Sequence, residues 1–303
     1  MPLFPDEISA KRTFSIRSFV TAFTIVMVMS LPAWGQWIGK QRDCYANTIV
    51  ANPNRPTVAN PADITQYGVL ELEYGWDRVW PDENIHQTSL GGLAKFGLLC
   101  DLELRWTTTS FVSQTDPSGT VRGFGDNWLG GQFRIYRQTK LVPTIAFGYA
   151  VKIPTASSRD GLGTGQVDHA LTVLLSKDVA HFHFDFNATH FWIGQEKVPG
   201  LTVDSFHQND QLNLAFSRTI RGPLQFTGEF YGDTRLDPTT PGFASSLWAL
   251  TYTVTPRLVI DCGFEAGITS GGPHRHAFAG ATYSIGNLYP GWKRKKASPP
   301  ISK

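Results

Sequence analysis

The stretch Gly68-Val69-Leu70-Glu71-Leu72-Glu73-Tyr74-Gly75-Trp76 changes character at every step. In an extended strand successive side chains point to opposite faces, so Leu70, Leu72, Tyr74 and Trp76 share one face while Glu71 and Glu73 share the other. The pattern recurs along the chain. Leu102, Leu104 and Trp106 oppose Asp101, Glu103 and Arg105, and Ile145, Phe147, Tyr149 and Val151 oppose Thr144, Ala146, Gly148 and Lys152. Phe182, Phe184 and Phe186 oppose His181, His183 and Asp185, and Leu212, Leu214 and Phe216 oppose Gln211, Asn213 and Ser217. Trp248, Leu250, Tyr252 and Val254 form another apolar face, and Leu258, Ile260, Phe264 and Ile268 oppose Asp261 and Glu265. Only 276–285 alternates weakly. With less regular segments at 86–98, 127–137 and 166–176, about twelve strands are expected, most of them near the 9 to 11 residues of a tilted membrane strand.

The intervals between strands are also patterned. Long ones (77–85, 112–126, 154–165, 193–207, 232–244, 269–275) alternate with short ones (near 99–100, 138–141, 177–179, 218–222, 255–256). Long loops on one rim and tight turns on the other are the layout of single-chain outer-membrane barrels. The expected fold is therefore all-β, a transmembrane antiparallel β-barrel of about twelve strands over 67–286. The competing fold is a soluble sandwich with an aromatic core, which gives no reason for this alternation.

Composition agrees. Charged residues make up only 17% and aromatics 13%, whereas soluble domains carry about 25% charge to wet their surface. Mean hydropathy is −0.17, and beyond the N-terminus no run approaches the roughly 20 apolar residues of a membrane helix. A helical membrane protein is thereby excluded.

At the N-terminus Lys11, Arg12 and Arg17 precede the apolar run Phe19 to Leu31, Pro32 and the triplet Ala33-Trp34-Gly35. This order reads as a secretory signal over 1–35, cleaved after Gly35. Residues 36–66, with Pro53, Pro56 and Pro61 and no apolar periodicity, should form an irregular periplasmic or lumenal extension able to act as a plug. Residues 287–303, with Lys293-Arg-Lys-Lys296 beside Pro299 and Pro300, read as a disordered basic tail. Without 1–35 the formal charge is near neutral, which gives no sign of a nucleic-acid partner. Three cysteines, Cys44, Cys100 and Cys262, are an odd count without ligand spacing, so neither a disulfide framework nor a zinc site is indicated.

The face opposite the apolar one supplies the candidate site. It carries Glu71, Glu73, Asp101, Glu103, Asp168, Asp185, Glu229, Asp261 and Glu265 with Lys95, Arg105, Arg134, Lys152, His181 and His183. Acid is in excess, and ionised groups in a narrow interior must be paired or wetted. His181-x-His183-x-Asp185 has a spacing from which two imidazoles can reach one metal, but a polar lumen face explains it without one, and neither metal nor cofactor is expected. No Ser/His spacing singles out a hydrolytic triad. Gly161-Leu-Gly163-Thr-Gly165 matches no nucleotide loop, and Asn187-Ala-Thr189, formally a glycosylation pattern, lies in mid-strand.

Two stretches resemble a known family. Phe147-Gly148-Tyr149-Ala150-Val151-Lys152-Ile153-Pro154-Thr155, a strand ending in Pro-Thr, is followed by Gly161-Leu-Gly163-Thr-Gly165-Gln-Val-Asp168 leading into the next strand. Together they resemble the meta-pathway phenol-degradation family of outer-membrane transporters, distantly similar to fatty-acid and aromatic-hydrocarbon channels, and the likeness extends loosely over 67–285. The resemblance implies an outer-membrane location and uptake of small, aromatic or hydrophobic compounds, without catalytic residues. One departure is that such barrels end on an aromatic read by the barrel-assembly machinery, whereas here Tyr283-Ser284-Ile285 is followed by a tail to Lys303. The partners expected are outer-membrane lipids, a small-molecule solute and that machinery. A passive channel is the leading expectation, with a lipid-modifying enzyme and a structural or adhesive barrel as alternatives.

Overall fold

The computed structural model describes residues 48–195, 206–235 and 241–289. The signal reading over 1–35, the start of the extension and the basic tail beyond 289 lie outside the described residues. Thirteen strands follow one another: β1 (Val69–Asp82), β2 (Ile85–Leu99), β3 (Leu102–Asp116), β4 (Gly119–Gly123), β5 (Asn127–Tyr136), β6 (Thr144–Ile153), β7 (His169–Val179), β8 (Phe182–Gly194), β9 (Phe206–Arg221), β10 (Leu224–Arg235), β11 (Pro241–Thr255), β12 (Leu258–Gly267) and β13 (Arg275–Asn287). Except for β4 and β5, neighbours in sequence are antiparallel neighbours in space. The pairing of β1 with β13, together with the pairing of β2 with β3, closes the sheet on itself. Short β4 pairs with the end of β3 while β5 pairs with its beginning, so the two share one position and the barrel has twelve staves.

Closure is what a bilayer demands. The hydrocarbon offers no water to unpaired N–H and C=O groups, and a closed antiparallel ladder leaves no edge. The side chains are arranged accordingly, polar inside and apolar outside. Among the largest fully buried side chains are Lys95, Gln132, Glu71, Glu103, Glu229, Asn187 and Asn213. Leu72, Tyr74, Trp106, Leu214, Leu250 and Phe264 are 42–58% exposed. A soluble fold would forfeit about 25 cal/mol for each Å² of that apolar surface left in water, whereas in lipid the same surface is at home.

The weakly alternating last segment has a local explanation. β13 turns Phe278 inward, where it packs on Leu247 and Ala249 of β11, and the outward positions around it are the alanines Ala277, Ala279 and Ala281. Size contrast between the faces is lost there, but parity is kept.

Both rims have specific turns. Gly222 takes φ 54° in the β9–β10 turn and Ala180 φ 56° in the β7–β8 turn, the positive values that two-residue hairpin connections require. On the other rim, two intervals expected to be long loops are largely strand. β1 and β2 continue until only Glu83 and Asn84 separate them, and 112–126 forms the β3–β4 hairpin. At its tip Asp116 Oδ1 accepts from the backbone of Ser118 (2.7 Å) and Gly119 (3.1 Å). Beyond the apolar band both faces of a strand are polar, so pairing persists where hydrophobic alternation stops.

Leu214 lies outward in mid-wall, between Phe186 of β8 and Phe230 of β10 in the strand register. Leu214→Arg is expected to cost about 2–4 kcal/mol of barrel stability, the penalty for a cation on the lipid face near the midplane. Urea titration of the protein folded into vesicles measures it, and an unchanged midpoint would mean that this face does not contact hydrocarbon.

Candidate functional site: a lumenal segment held by the wall

Residues 48–66 run inside the barrel. Both ends are at the tight-turn rim, where Ala51 N donates to Pro256 O (2.8 Å), Val50 N donates to Gln66 Oε1 (3.0 Å) and Gln66 Nε2 donates to Thr48 O (3.1 Å). With three prolines and no apolar repeat this segment cannot join the sheet ladder, yet its buried N–H groups must find acceptors. The wall supplies them. Asn52 N bonds to Glu71 (2.9 Å), Asn54 N and Arg55 N to the two oxygens of Glu73 (2.9 and 3.0 Å), and Val58 N and Ala59 N to the two oxygens of Glu229 (2.7 and 2.6 Å). Thr65 N bonds to Glu103 (2.5 Å), Asn60 N to Asn187 Oδ1 (2.7 Å) and Ala62 N to Ser176 Oγ (2.7 Å). Donors on the wall meet the segment's carbonyls: Lys95 reaches Asn52 O, Gln132 Nε2 reaches Pro61 O (2.9 Å) and Asn187 Nδ2 reaches Asn60 O (2.9 Å).

Charge is matched across the same contact. Lys95, fully buried, lies 2.8 Å from Glu71 and 2.6 Å from Glu73. Arg55 of the segment lies against Gly75 and Gly280, where any Cβ would overlap its guanidinium, and reaches Asp261 at 3.3 Å. Arg134 joins Asp63 of the segment (2.6 Å) to Asp101 (2.9 Å), and Arg105 pairs with Glu103 at 2.6 Å. Small side chains provide the close fit: Ala62 packs on Ala146 of β6 and Leu174 of β7.

Toward the other rim, Lys152 pairs with Asp168 (2.5 Å) and approaches Asp126 (3.7 Å). The motifs Lys152-Ile-Pro-Thr155 and Asp168 are thereby explained. Asp126 Oδ1 accepts from the backbone of Thr155 and Ala156, both at 2.9 Å, and Asp168 accepts from Gly194 N at 2.9 Å. Glu265 is saturated by Tyr231 (2.5 Å), Ser245 (2.6 Å) and His276 (2.6 Å). Beside the segment a cavity of about 230 Å³ remains, lined among others by Val58, Leu93, Arg105, Trp128, Phe191 and Gln211.

The residues expected to face the lumen do not all occupy one surface. Glu71, Glu73, Lys95, Glu103, Arg105 and Glu229 lie in the barrel wall in contact with the lumenal segment, its bound partners or the cavity, and Lys152, Asp168, Asp261 and Glu265 form the ion pairs described above. Asp101 belongs to the β2–β3 turn, where it anchors Arg134 and Arg137. His181 is corrected to an exposed position in the β7–β8 turn, because the chain reverses at Ala180-His181 before β8 begins. His183 is half-buried at that rim between Asp178 (2.7 Å) and Asp185 (3.2 Å). Among the described residues no group of three or more metal-ligating side chains converges. Cys100, in the β2–β3 turn, is disulfide-bonded and Cys262 is free, a pairing that the odd count had hidden. Charge alone also overlooked the uncharged wall groups Gln132, Ser176 and Asn187. Their parity marks them, since Gln132 is two residues from Arg134 and Asn187 two from Asp185.

Lys95→Met removes the cation shared by Glu71 and Glu73 and leaves buried carboxylates uncompensated, with an expected loss of about 3–5 kcal/mol. Amide exchange over 52–55 should accelerate with it. Arg137→Gln, at an exposed rim pair, should cost about 1 kcal/mol or less. Denaturant titration and hydrogen-exchange mass spectrometry check both, and equal effects would refute the buried tether.

The fold has solved relatives. An outer-membrane channel from Pseudomonas putida F1 superposes with a TM-score of 0.57 at 11% identity, over 80% of this chain and 99% of that one. The NanC porin superposes with a TM-score of 0.50 at 12% identity, over 71% of this chain and 98% of that one. No curated protein sequence matches. Residues 49–285, which take in the lumenal segment as well as the strands, match the family described as "Putative MetA-pathway of phenol degradation", and the chain belongs to that family.

Proposed function

We propose that the protein is a passive outer-membrane channel for small aromatic or hydrophobic molecules, narrowed by its own residues 48–66. The observation that carries this reading is the way the segment is bound. It is tied to the wall by side-chain hydrogen bonds and ion pairs, not by the strand ladder, so the barrel's own backbone pairing does not depend on it. A closed barrel with a polar bore has no evident use for such an insert except to set what passes. The two solved relatives, named as a channel and a porin, share the barrel fold.

The free cavity supports the choice of solute. At about 230 Å³ it is smaller than the roughly 300–1,000 Å³ of drug-sized sites, and its lining mixes the apolar Leu93, Trp128, Phe191 and Val58 with polar groups such as Arg105, Gln132, Asn187 and Gln211. A single ring with one polar substituent suits that space, its face on an indole or phenyl ring. The excess of acid in the lumen disfavours small inorganic anions.

Val50 and Gln66 are already hydrogen-bonded, so 51–65 can be excised and the ends joined. In planar bilayers the full chain should conduct weakly and the excised variant several-fold more, both keeping heat-modifiable mobility on gels. Phenol-sized solutes should interrupt the current of the full chain, and Trp128→Ala should abolish the interruption. A folded excised variant as silent as the full chain would overturn the channel reading.

A further inference from the structure

The strand register sets up an outward-facing surface that the channel reading does not use. Reading across β1, β2 and β3, Trp76, Leu90 and Phe111 form one lipid-facing row. An extra residue at Ser110 shifts β3 there, so that on the outside the next row is Arg78, Thr88 and Ser113, continued by Arg122 of β4. Beyond it, Trp80 follows on β1 beside Arg275 of β13, and His86, Thr115 and Thr120 form a row across β2, β3 and β4. A groove of about 440 Å³ is lined by Arg78, His86, Thr88, Phe111, Ser113, Thr115, Thr120 and Arg122, without a carboxylate among them.

We infer that this groove binds the phosphorylated headgroup of an outer-leaflet glycolipid. Its height is that of the headgroups: it begins one row beyond the apolar band, on the rim opposite the tight turns, and is bracketed by Trp76 and Trp80 as an interfacial belt would be. Its chemistry is that of a phosphate site. Arg78 stacks over Trp80 at 5.1 Å, which fixes the guanidinium. Its Nε is buried with no hydrogen-bond partner among the described residues, an uncommon and costly state for a charged donor. Neither Arg78 nor Arg122 has an ion-pair partner among the described residues, unlike the lumenal cations Lys95, Arg134 and Lys152. Guanidinium groups match phosphate oxygens in pairs, and the hydroxyls of Thr88, Ser113 and Thr120 can donate beside them. The two arginines stand three strand spacings apart, about 14 Å. They therefore suit two phosphates on one rigid headgroup better than a single phosphodiester, and Phe111 below them meets the start of the acyl chains.

The test is native mass spectrometry of the full chain folded in detergent and titrated with diphosphorylated lipid A or with phosphatidylglycerol. The wild type should hold lipid A more tightly than phosphatidylglycerol, and Arg78→Gln/Arg122→Gln should lose at least about tenfold in lipid A affinity, the effect of one charge-assisted contact or more. Arg218→Gln is the control, because Arg218 also stacks on an aromatic ring, Phe182, but at the tight-turn rim. It should bind lipid A as the wild type does. Heat-modifiable mobility verifies that each variant is folded. Lipid A bound no better than phosphatidylglycerol, or held equally by the double variant, would overturn the assignment.

Discussion

An unpaired amide in hydrocarbon costs several kcal/mol, and in this chain that cost shapes more than the wall. It requires the strands to close, and closure sends every second side chain outward to lipid. The remaining half faces the bore, where the lumenal segment covers many of these side chains. Carboxylates such as Glu71, Glu73 and Glu229, fully or almost fully buried, are then in surroundings where an ion must be paired or hydrogen-bonded. The lumenal segment answers that requirement. Six of its backbone N–H groups bond to Glu71, Glu73, Glu103 and Glu229. Wall and segment solve each other's problem: the wall has acceptors without ladder partners, and the proline-interrupted segment has donors without a ladder.

Glycine and alanine matter here by their absence of bulk. Gly75 and Gly280 leave room for the Arg55 guanidinium on its way to Asp261, and Ala146 admits Ala62. The bore is thus shaped in the half toward the tight turns to one occupant, while nearer the long-loop rim larger apolar groups, Trp128, Phe191 and Leu93, line open space. One part of the lumen is complementary to peptide and the other to something the chain does not itself supply.

How much of this the sequence discloses follows from the same physics. Lipid imposes a demand on the outer face that every strand must meet alone, so Leu70-Glu71-Leu72-Glu73 and Phe182-His183-Phe184-Asp185 each announce their parity without reference to a partner. Staves and closure are legible from that. An irregular extension able to enter the lumen is legible too, but its attachment is not, because 48–66 has no pattern of its own and becomes specific only against acceptors distant in sequence, such as Glu229 and Asn187. Uncharged wall groups are hidden for a related reason: Ser176 and Gln132 gain meaning only when Ala62 N and Pro61 O are in place. His181 misleads because periodicity does not say where a strand begins. Past the apolar band the signal ends although the strands do not, which is why β1, β2 and the β3–β4 hairpin extend beyond their expected limits.

The energetics of the insert differ from those of the wall in a way that bears on movement. Breaking a ladder bond inside hydrocarbon exposes groups to a medium that cannot replace the partner. Withdrawing 48–66 toward the tight-turn rim would expose carboxylates and amides to water, which can, and each exchanged hydrogen bond then changes stability by about 0.5–3 kcal/mol instead of its full desolvation cost. Both ends of the segment lie at one rim, so withdrawal needs no strand to part. The contacts are nevertheless numerous and several share charges: losing Arg55 from Asp261 or Asp63 from Arg134 leaves ions that only entering water would stabilise. The insert is therefore separable by a pull from one side, with the barrel's integrity and the insert's attachment resting on two different sets of hydrogen bonds.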